Sequence, residues 1–305
     1  MISFFKLIRF PNLLMIALTM YLVRYCLLVE FDGTGFVQVT YTLSNFGFFL
    51  LVLSTVLIAA GGNIINDYFD TSIDAINKPT KLIIGVKISR RIAMLAHIIM
   101  STLGILTGIF LAWKLHHIRL GLINIFSVTL LWYYSRLFKR RILVGNIVIA
   151  FLSGLVPLVV ALFEPQVYGY LNIVLIYSVF AFILTFIREI IKDLEDIQGD
   201  RMENCRTLPV VVGETITKYV VMGLAILTAA FIIYFQRILY TKQDYITLLY
   251  ATAAVEIPLI ILIIFTYMAH SKNQYKNLSL LAKLIMITGI LSMYVFYYSL
   301  NHPIS

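Results

Sequence analysis

Nine of the chain's fifteen Asp and Glu residues fall into two short stretches, Asp67–Asp74 and Glu189–Glu203. In the first, Asn66, Asp70 and Asp74 recur at four-residue steps. In the second, Glu189, Asp193, Asp196 and Asp200 follow at steps of four, three and four. Such steps hold each set along one helical face. Like charges stacked in this way repel, so each stripe weakens its helix unless a cation offsets it. Ligands that are all oxygen, with no His or Cys beside them, select a hard cation. Mg²⁺ comes foremost, since it commonly keeps waters and shares substrate phosphates. The groups on both stripes are the expected metal-holding side chains, while Asp67 and Glu195 point off the stripes and are expected to support them. The competing reading is a salt-bridge network with nearby Lys and Arg. Two stripes of similar spacing argue against it.

Basic residues lie close to both stripes. Lys78 and Lys81 follow the first, Arg136 and Lys139 stand between them, and Lys192, Arg201 and Arg206 surround the second. Acids that hold metal, ringed by Lys and Arg, form a charge pattern suited to a diphosphate.

The elements that position these residues are apolar. Of 305 residues, 61% are hydrophobic and 13% charged, against roughly 45–50% and 25% in soluble domains. The expected fold is an all-α integral membrane protein, one domain over 1–305, with about nine transmembrane helices in a single bundle around a cytoplasm-facing cavity. The candidate spans are 8–28, 43–65, 92–113, 119–135, 143–163, 170–190, 218–236, 245–269 and 280–300, each judged by length and hydropathy. The fourth is short. With the N-terminus inside, nineteen Lys and Arg fall in inside segments and four outside, which orients the bundle. Both acid stripes then sit at cytoplasmic ends, of the second and sixth spans. Asp70 and Asp196 are 126 residues apart, about four helices, so two facing four-helix units would bring the stripes together across one cavity.

The net charge of +9 is accounted for by this topology signal and calls for no nucleic acid partner. Nor does an obligate protein partner show in the sequence. Cys26 and Cys205 imply no disulfide framework. Cys205 is expected in an accessible cytoplasmic loop, and Asp244, in an outside connection, is expected to carry no chemistry.

These motifs resemble the UbiA superfamily of intramembrane prenyltransferases. Asn66, Asp70 and Asp74 match its Asn-x-x-x-Asp-x-x-x-Asp element, and Asp196 and Asp200, preceded by Asp193, match its Asp-x-x-x-Asp element. Tyr134, Ser135 and Lys139 match Tyr-Ser-x-x-x-Lys, and Gly145-Asn146 follows. The resemblance runs from Phe10-Pro11-Asn12 to the last helices. It implies a cavity open to the cytoplasm and to lipid, with Mg²⁺ held by Asn66, Asp70, Asp74, Asp196 and Asp200 and gripping the diphosphate of a polyprenyl donor while a hydrophobic acceptor attacks the allylic carbon. Lys78, Lys81, Tyr134, Arg136, Lys139, Lys192 and Arg206 would bind the diphosphate; Asp74, Asp193 and Lys139 would take catalytic roles. Within the superfamily the motifs are most similar to the geranylgeranylglyceryl phosphate geranylgeranyltransferase group. That group usually continues Asn-Arg-Pro-x-Arg-Pro, where this chain reads Asn77-Lys78-Pro79-Thr80-Lys81-Leu82. Lys in place of Arg forfeits bidentate phosphate geometry.

Two other classes compete. CDP-alcohol phosphotransferases carry one contiguous Asp motif, whereas here the acids are split between distant loops. Transporters tend to place ionisable residues near the bilayer midplane on broken helices, and these sit at helix ends. Among acceptors, a glyceryl phosphate lipid is favoured because the cations outnumber those one diphosphate needs. A quinone precursor such as dihydroxynaphthoate or hydroxybenzoate is the alternative.

Overall fold

The structure is a computed structural model describing residues 2–31, 36–37, 40–77, 80, 82–165 and 171–302. Thirteen α-helices follow in order among these residues. They are α1 Ile2–Leu7, α2 Phe10–Leu22, α3 Asn45–Phe69, α4 Thr71–Asn77, α5 Arg90–Lys114, α6 Gly121–Arg136, α7 Val144–Phe163 and α8 Leu171–Met202, then α9 Leu208–Val212, α10 Glu214–Thr241, α11 Tyr245–Ala251, α12 Ile257–Met268 and α13 Lys272–Asn301. A two-residue antiparallel pair, Glu30–Phe31 with Phe36–Val37, is a minor addition.

Local chemistry starts several helices. Ser44 and Ser89 accept backbone N–H groups from Gly47 and Ile92 at the heads of α3 and α5, each covering a donor the helix cannot satisfy itself. Ser271 and Gln274 form a capping box at the head of α13. Asp244, expected to be idle, caps α11 by accepting the Thr247 N–H at 3.0 Å, and it also accepts from Ser299 Oγ. It is a structural residue.

Eight helical stretches among the described residues are long and apolar enough to cross a membrane. α2 qualifies by running on through a π-helical turn at Val23–Leu27, and α11 and α12 join through another at Thr252–Glu256. α6 has 16 residues, about 24 Å of helix. It does not qualify by length and corresponds to the short fourth candidate.

α3 packs against α5 and α6, and α8 against α7, α10 and α13, while α13 returns to α2. One core cluster, with Phe48, Leu111, Phe163 and Met293, occupies the end away from the acid stripes. A second gathers Ile187, Ile190, Val221, Leu259 and Ile285 around α8. A third joins Leu7, Leu13 and Ile64 beside α3.

The end away from the stripes also holds a buried ion pair that the sequence reading left unassigned. Arg24 Nη2 lies 3.5 Å from Glu164 Oε1, with both side chains almost wholly buried. The guanidinium sits 4.4 Å from the ring centres of both Tyr41 and Phe48. Glu164 Oε2 accepts the backbone N–H groups of Thr42, at 2.6 Å, and Leu43, at 3.2 Å. The pair therefore ties the segment ahead of α3 to the end of α7.

Candidate active site

A cavity of about 990 Å³ runs through the bundle. On α8 its wall extends from Asn172 to Asp200, a rise of about 42 Å. Most of this length is apolar, faced by side chains such as Tyr177, Phe180, Phe235, Met286 and Phe296. At one end it becomes polar, and there the stripes meet: Asn66, Asp70, Asp74, Asp193, Asp196 and Asp200 all line it.

The first stripe does not ride on an unbroken helix. α3 stops at Phe69 and Asp70 is its C-cap, with φ −87° and ψ 3°. The four-residue backbone bonds still continue, Asp70 N–H to Asn66 O at 3.0 Å and Asp74 N–H to Asp70 O at 2.8 Å. The three side chains thus stay aligned through the change from α3 to α4.

Asn77 closes the gap between the halves. Its Nδ2 donates to Asp196 O at 3.1 Å, and its Oδ1 accepts the Gly199 N–H at 3.1 Å. A Cβ on Gly199 would stand 2.3 Å from Asn77 Nδ2, so only glycine admits this clamp. It fastens the end of α4 to α8 and sets Asp74 opposite Asp196 and Asp200. The sequence held Asn77 only as part of a motif, because nothing in its spacing reveals a contact 122 residues away.

Lys139 sits on a 3₁₀ turn, Phe138–Arg140, between α6 and α7. A Cβ on Gly145 would come within 2.8 Å of Lys139 Cα, so the missing side chain lets this turn press onto α7. From there the ammonium forms an ion pair with Asp70. Burial pulls the Lys139 pKa down, but Asp70 and then Tyr134 and Asp74 outweigh it and hold it above its ordinary value. On the lysine side, the pair's stabilisation is present through neutral pH and fades as pH rises through that higher value.

In the second stripe, Asp193 and Asp200 take neutral donors. Asn146 Nδ2 donates to Asp193 Oδ2 at 2.8 Å, and Thr207 Oγ1 donates to Asp200 Oδ2 at 3.0 Å. Thr207 escaped the sequence reading. Tyr134 and Lys192 also line the cavity, Lys192 in contact with Glu189 at 2.9 Å. Arg136 and Arg206, expected at the diphosphate, have exposed side chains off the cavity wall; the Arg206 backbone N–H instead bonds Arg140 O at 2.9 Å. Lys78 and Lys81 lie outside the described residues. Asp67 leaves the cavity to meet Arg9 at 2.7 Å. Cys205 is buried rather than accessible, and burial, then Asp200, raises its thiol pKa.

Whether the stripes suit a metal turns on their donors. They offer only oxygen, and Asn66 Oδ1 is buried without a hydrogen-bond partner. Among the described residues, no three His, Cys, Asp or Glu side chains converge tightly enough to hold an ion alone. That combination fits a hard cation completed by water and ligand oxygens.

The sequence pattern of the UbiA prenyltransferase family matches residues 33–298. The chain belongs to that family. A digeranylgeranylglyceryl phosphate synthase of Methanothermobacter thermautotrophicus is 41% identical over 175 residues, 57% of this chain and 59% of that protein. The chain thus spans less than two thirds of the length of the curated relatives it matches. A solved structure of a digeranylgeranylglyceryl phosphate synthase aligns with TM-score 0.64 at 24% identity, covering 97% of each chain. A UbiA homologue from Archaeoglobus fulgidus bound to GPP and Mg²⁺ aligns with TM-score 0.51 at 17% identity, covering 96% of this chain and 99% of that one. The helical bundle of this UbiA family member is thus matched in fold, with eight rather than nine stretches among the described residues long and apolar enough to span.

Proposed function

We propose that this protein transfers a polyprenyl group, geranylgeranyl by preference, from its diphosphate to the free hydroxyl of a geranylgeranylglyceryl phosphate, with its acid end facing the cytoplasm. One observation carries the reading: a long apolar cavity ends on two opposed carboxylate stripes with a lysine between them. The relatives named for digeranylgeranylglyceryl phosphate synthesis support this choice of acceptor, and the GPP- and Mg²⁺-bound homologue supports the donor and the ion.

Mg²⁺, when bound, would be held by Asn66, Asp70, Asp74, Asp196 and Asp200 and would supply Lewis-acid charge to the diphosphate. The apolar wall takes the prenyl chain and keeps water from the allylic carbon. Lys139 and Tyr134 stand where they can donate hydrogen bonds to the departing diphosphate. As the bond from prenyl C1 to the diphosphate oxygen breaks, its electron pair leaves with the diphosphate. C1 then bonds to the acceptor oxygen, and the hydroxyl proton passes to a carboxylate, Asp74 or Asp193. Asn146 fixes the orientation of Asp193 for that role.

Membranes carrying the protein are to be incubated with labelled geranylgeranyl diphosphate and a panel of acceptors, with EDTA or with Mg²⁺. Labelled product is expected from the glyceryl phosphate lipid, absent in EDTA and restored by Mg²⁺. Efficient prenylation of dihydroxynaphthoate, with the glyceryl phosphate neither reacting nor competing, would replace this reading with quinone synthesis.

A further inference from the structure

Two turns further along α8 from Asp196, away from the acid end, the cavity wall changes sign. Arg9, Arg188, Lys192 and Lys283 all line it there, brought from the head of α2, from α8 and from α13. Arg188 Nη1 and Lys192 Nζ each contact Glu189 at 2.9 Å. Arg9 meets Asp67 at 2.7 Å. Lys283 Nζ donates to the neutral Asn12 Oδ1 at 2.8 Å. Four cations against two carboxylates leave two positive charges.

Topology signalling does not account for this group. That signal needs cations in loops, whereas Lys283 lies eleven residues into α13, about 16 Å along the helix. Nor does internal pairing use the donors up. Arg188 Nε is buried without a hydrogen-bond partner, and an ammonium or guanidinium has three to five N–H donors, more than the contacts above engage. Such a group, partly desolvated and net positive, is built for an anion.

We propose that this cluster is a phosphomonoester subsite that holds the phosphate of the acceptor lipid, separate from the acid end where the diphosphate binds. The inference rests on the acceptor assigned under Proposed function and adds where its headgroup docks. A phosphomonoester carries about −1.5 to −2 near neutral pH, which matches the surplus of two. Glu189 and Asp196 are seven residues apart on one face of α8, about 10 Å. Asp193 lies between these two levels. A glyceryl phosphate held at the cluster therefore directs its hydroxyl toward Asp193 and the acid end, with the glycerol filling the interval.

Lys283→Gln and Arg188→Gln proteins, each a full-length chain in membranes, test this against wild type and Lys283→Arg. The acceptors are geranylgeranylglyceryl phosphate and the same lipid without its phosphate, with inorganic phosphate as competitor. In both Gln variants the KM for the phosphorylated acceptor should rise about 10- to 30-fold, while that for geranylgeranyl diphosphate stays within about threefold. The wild-type preference for the phosphorylated acceptor should collapse by the same factor, and Lys283→Arg should keep most of it. In EDTA the phosphorylated lipid should raise the melting temperature of the wild type and not of Lys283→Gln. Inorganic phosphate should compete weakly with the lipid, whose chain supplies much of the binding. An undiminished preference in both variants, or a rise confined to the diphosphate KM, overturns the subsite. A wild type that rejects the glyceryl phosphate altogether instead overturns the function on which it rests.

Discussion

Charge is buried at both ends of the bundle, and the two burials face different things. Arg24 and Glu164 are covered by Tyr41, Phe48 and the backbone ahead of α3, and neither lines the cavity. Asp70, Asp193, Asp196 and Asp200 sit on the cavity wall, with Lys139, Asn146 and Thr207 as neighbours. A desolvated charge enclosed by its own chain fixes a segment in place, whereas one that keeps a face on a cavity is available to a ligand. The two stripes differ in the same spirit. In the first, Asp70 takes a full charge from Lys139; in the second, Asp193 and Asp200 take neutral donors while Glu189 pairs with Arg188 and Lys192.

The comparison breaks most sharply by mutation at the acid end. Asp70→Asn and Asp196→Asn should each lower kcat/KM by about 10³ or more while the melting temperature in detergent changes little. A comparable loss of activity and of folding together would make the stripe structural.

The opposite pattern is expected at the other end. Arg24→Met leaves Glu164 buried without its cation, at a cost of about 3–5 kcal/mol in stability. Thermal unfolding in detergent should show the loss, and the surviving folded protein should retain its KM for geranylgeranyl diphosphate. A selective rise in that KM would bring Arg24 into the site.

A smaller effect sharpens the link between the halves. Gly199→Ala drives a methyl into Asn77 and should spread α4 from α8, lowering kcat/KM about tenfold. Asn77→Ala should do the same without the clash, and agreement between them would attribute the loss to the clamp. Should Gly199→Ala be fully active, the stripes do not depend on that contact.

The smallest effect concerns Cys205. Buried, and with its pKa raised, it should label slowly with maleimide in folded membranes from either side and rapidly once denatured. Its rate should climb with pH as the thiolate forms. Fast labelling at neutral pH would mean that the segment after α8 opens.

Much of this was legible in the residues. Apolar runs located the helices, and spacing of three and four residues picked out Asn66, Asp70, Asp74, Asp193, Asp196 and Asp200, which line one cavity, since both signals are local and periodic. What escaped was pairing between distant segments. Lys283 reads as a loop lysine at the edge of a span until α13 proves to start at Lys272 and Asn12, 271 residues away, proves to be its partner. Arg24 and Glu164 stand alone in sequence and meet only in the fold. The basic loops misled in the other direction: Arg136 and Arg206 sit near the stripes along the chain, yet their side chains turn to the exterior. Sequence proximity cannot tell a cation that marks topology from one that reaches the cavity.

The Lys139–Asp70 pair also bears on how such a protein is made. A nascent chain entering a bilayer meets lipid before it meets a divalent ion, and uncompensated carboxylates there would resist closure of the bundle. With its own ammonium against the first stripe, a newborn chain can finish assembling empty. Assembly of the bundle and loading of an ion then become separable events.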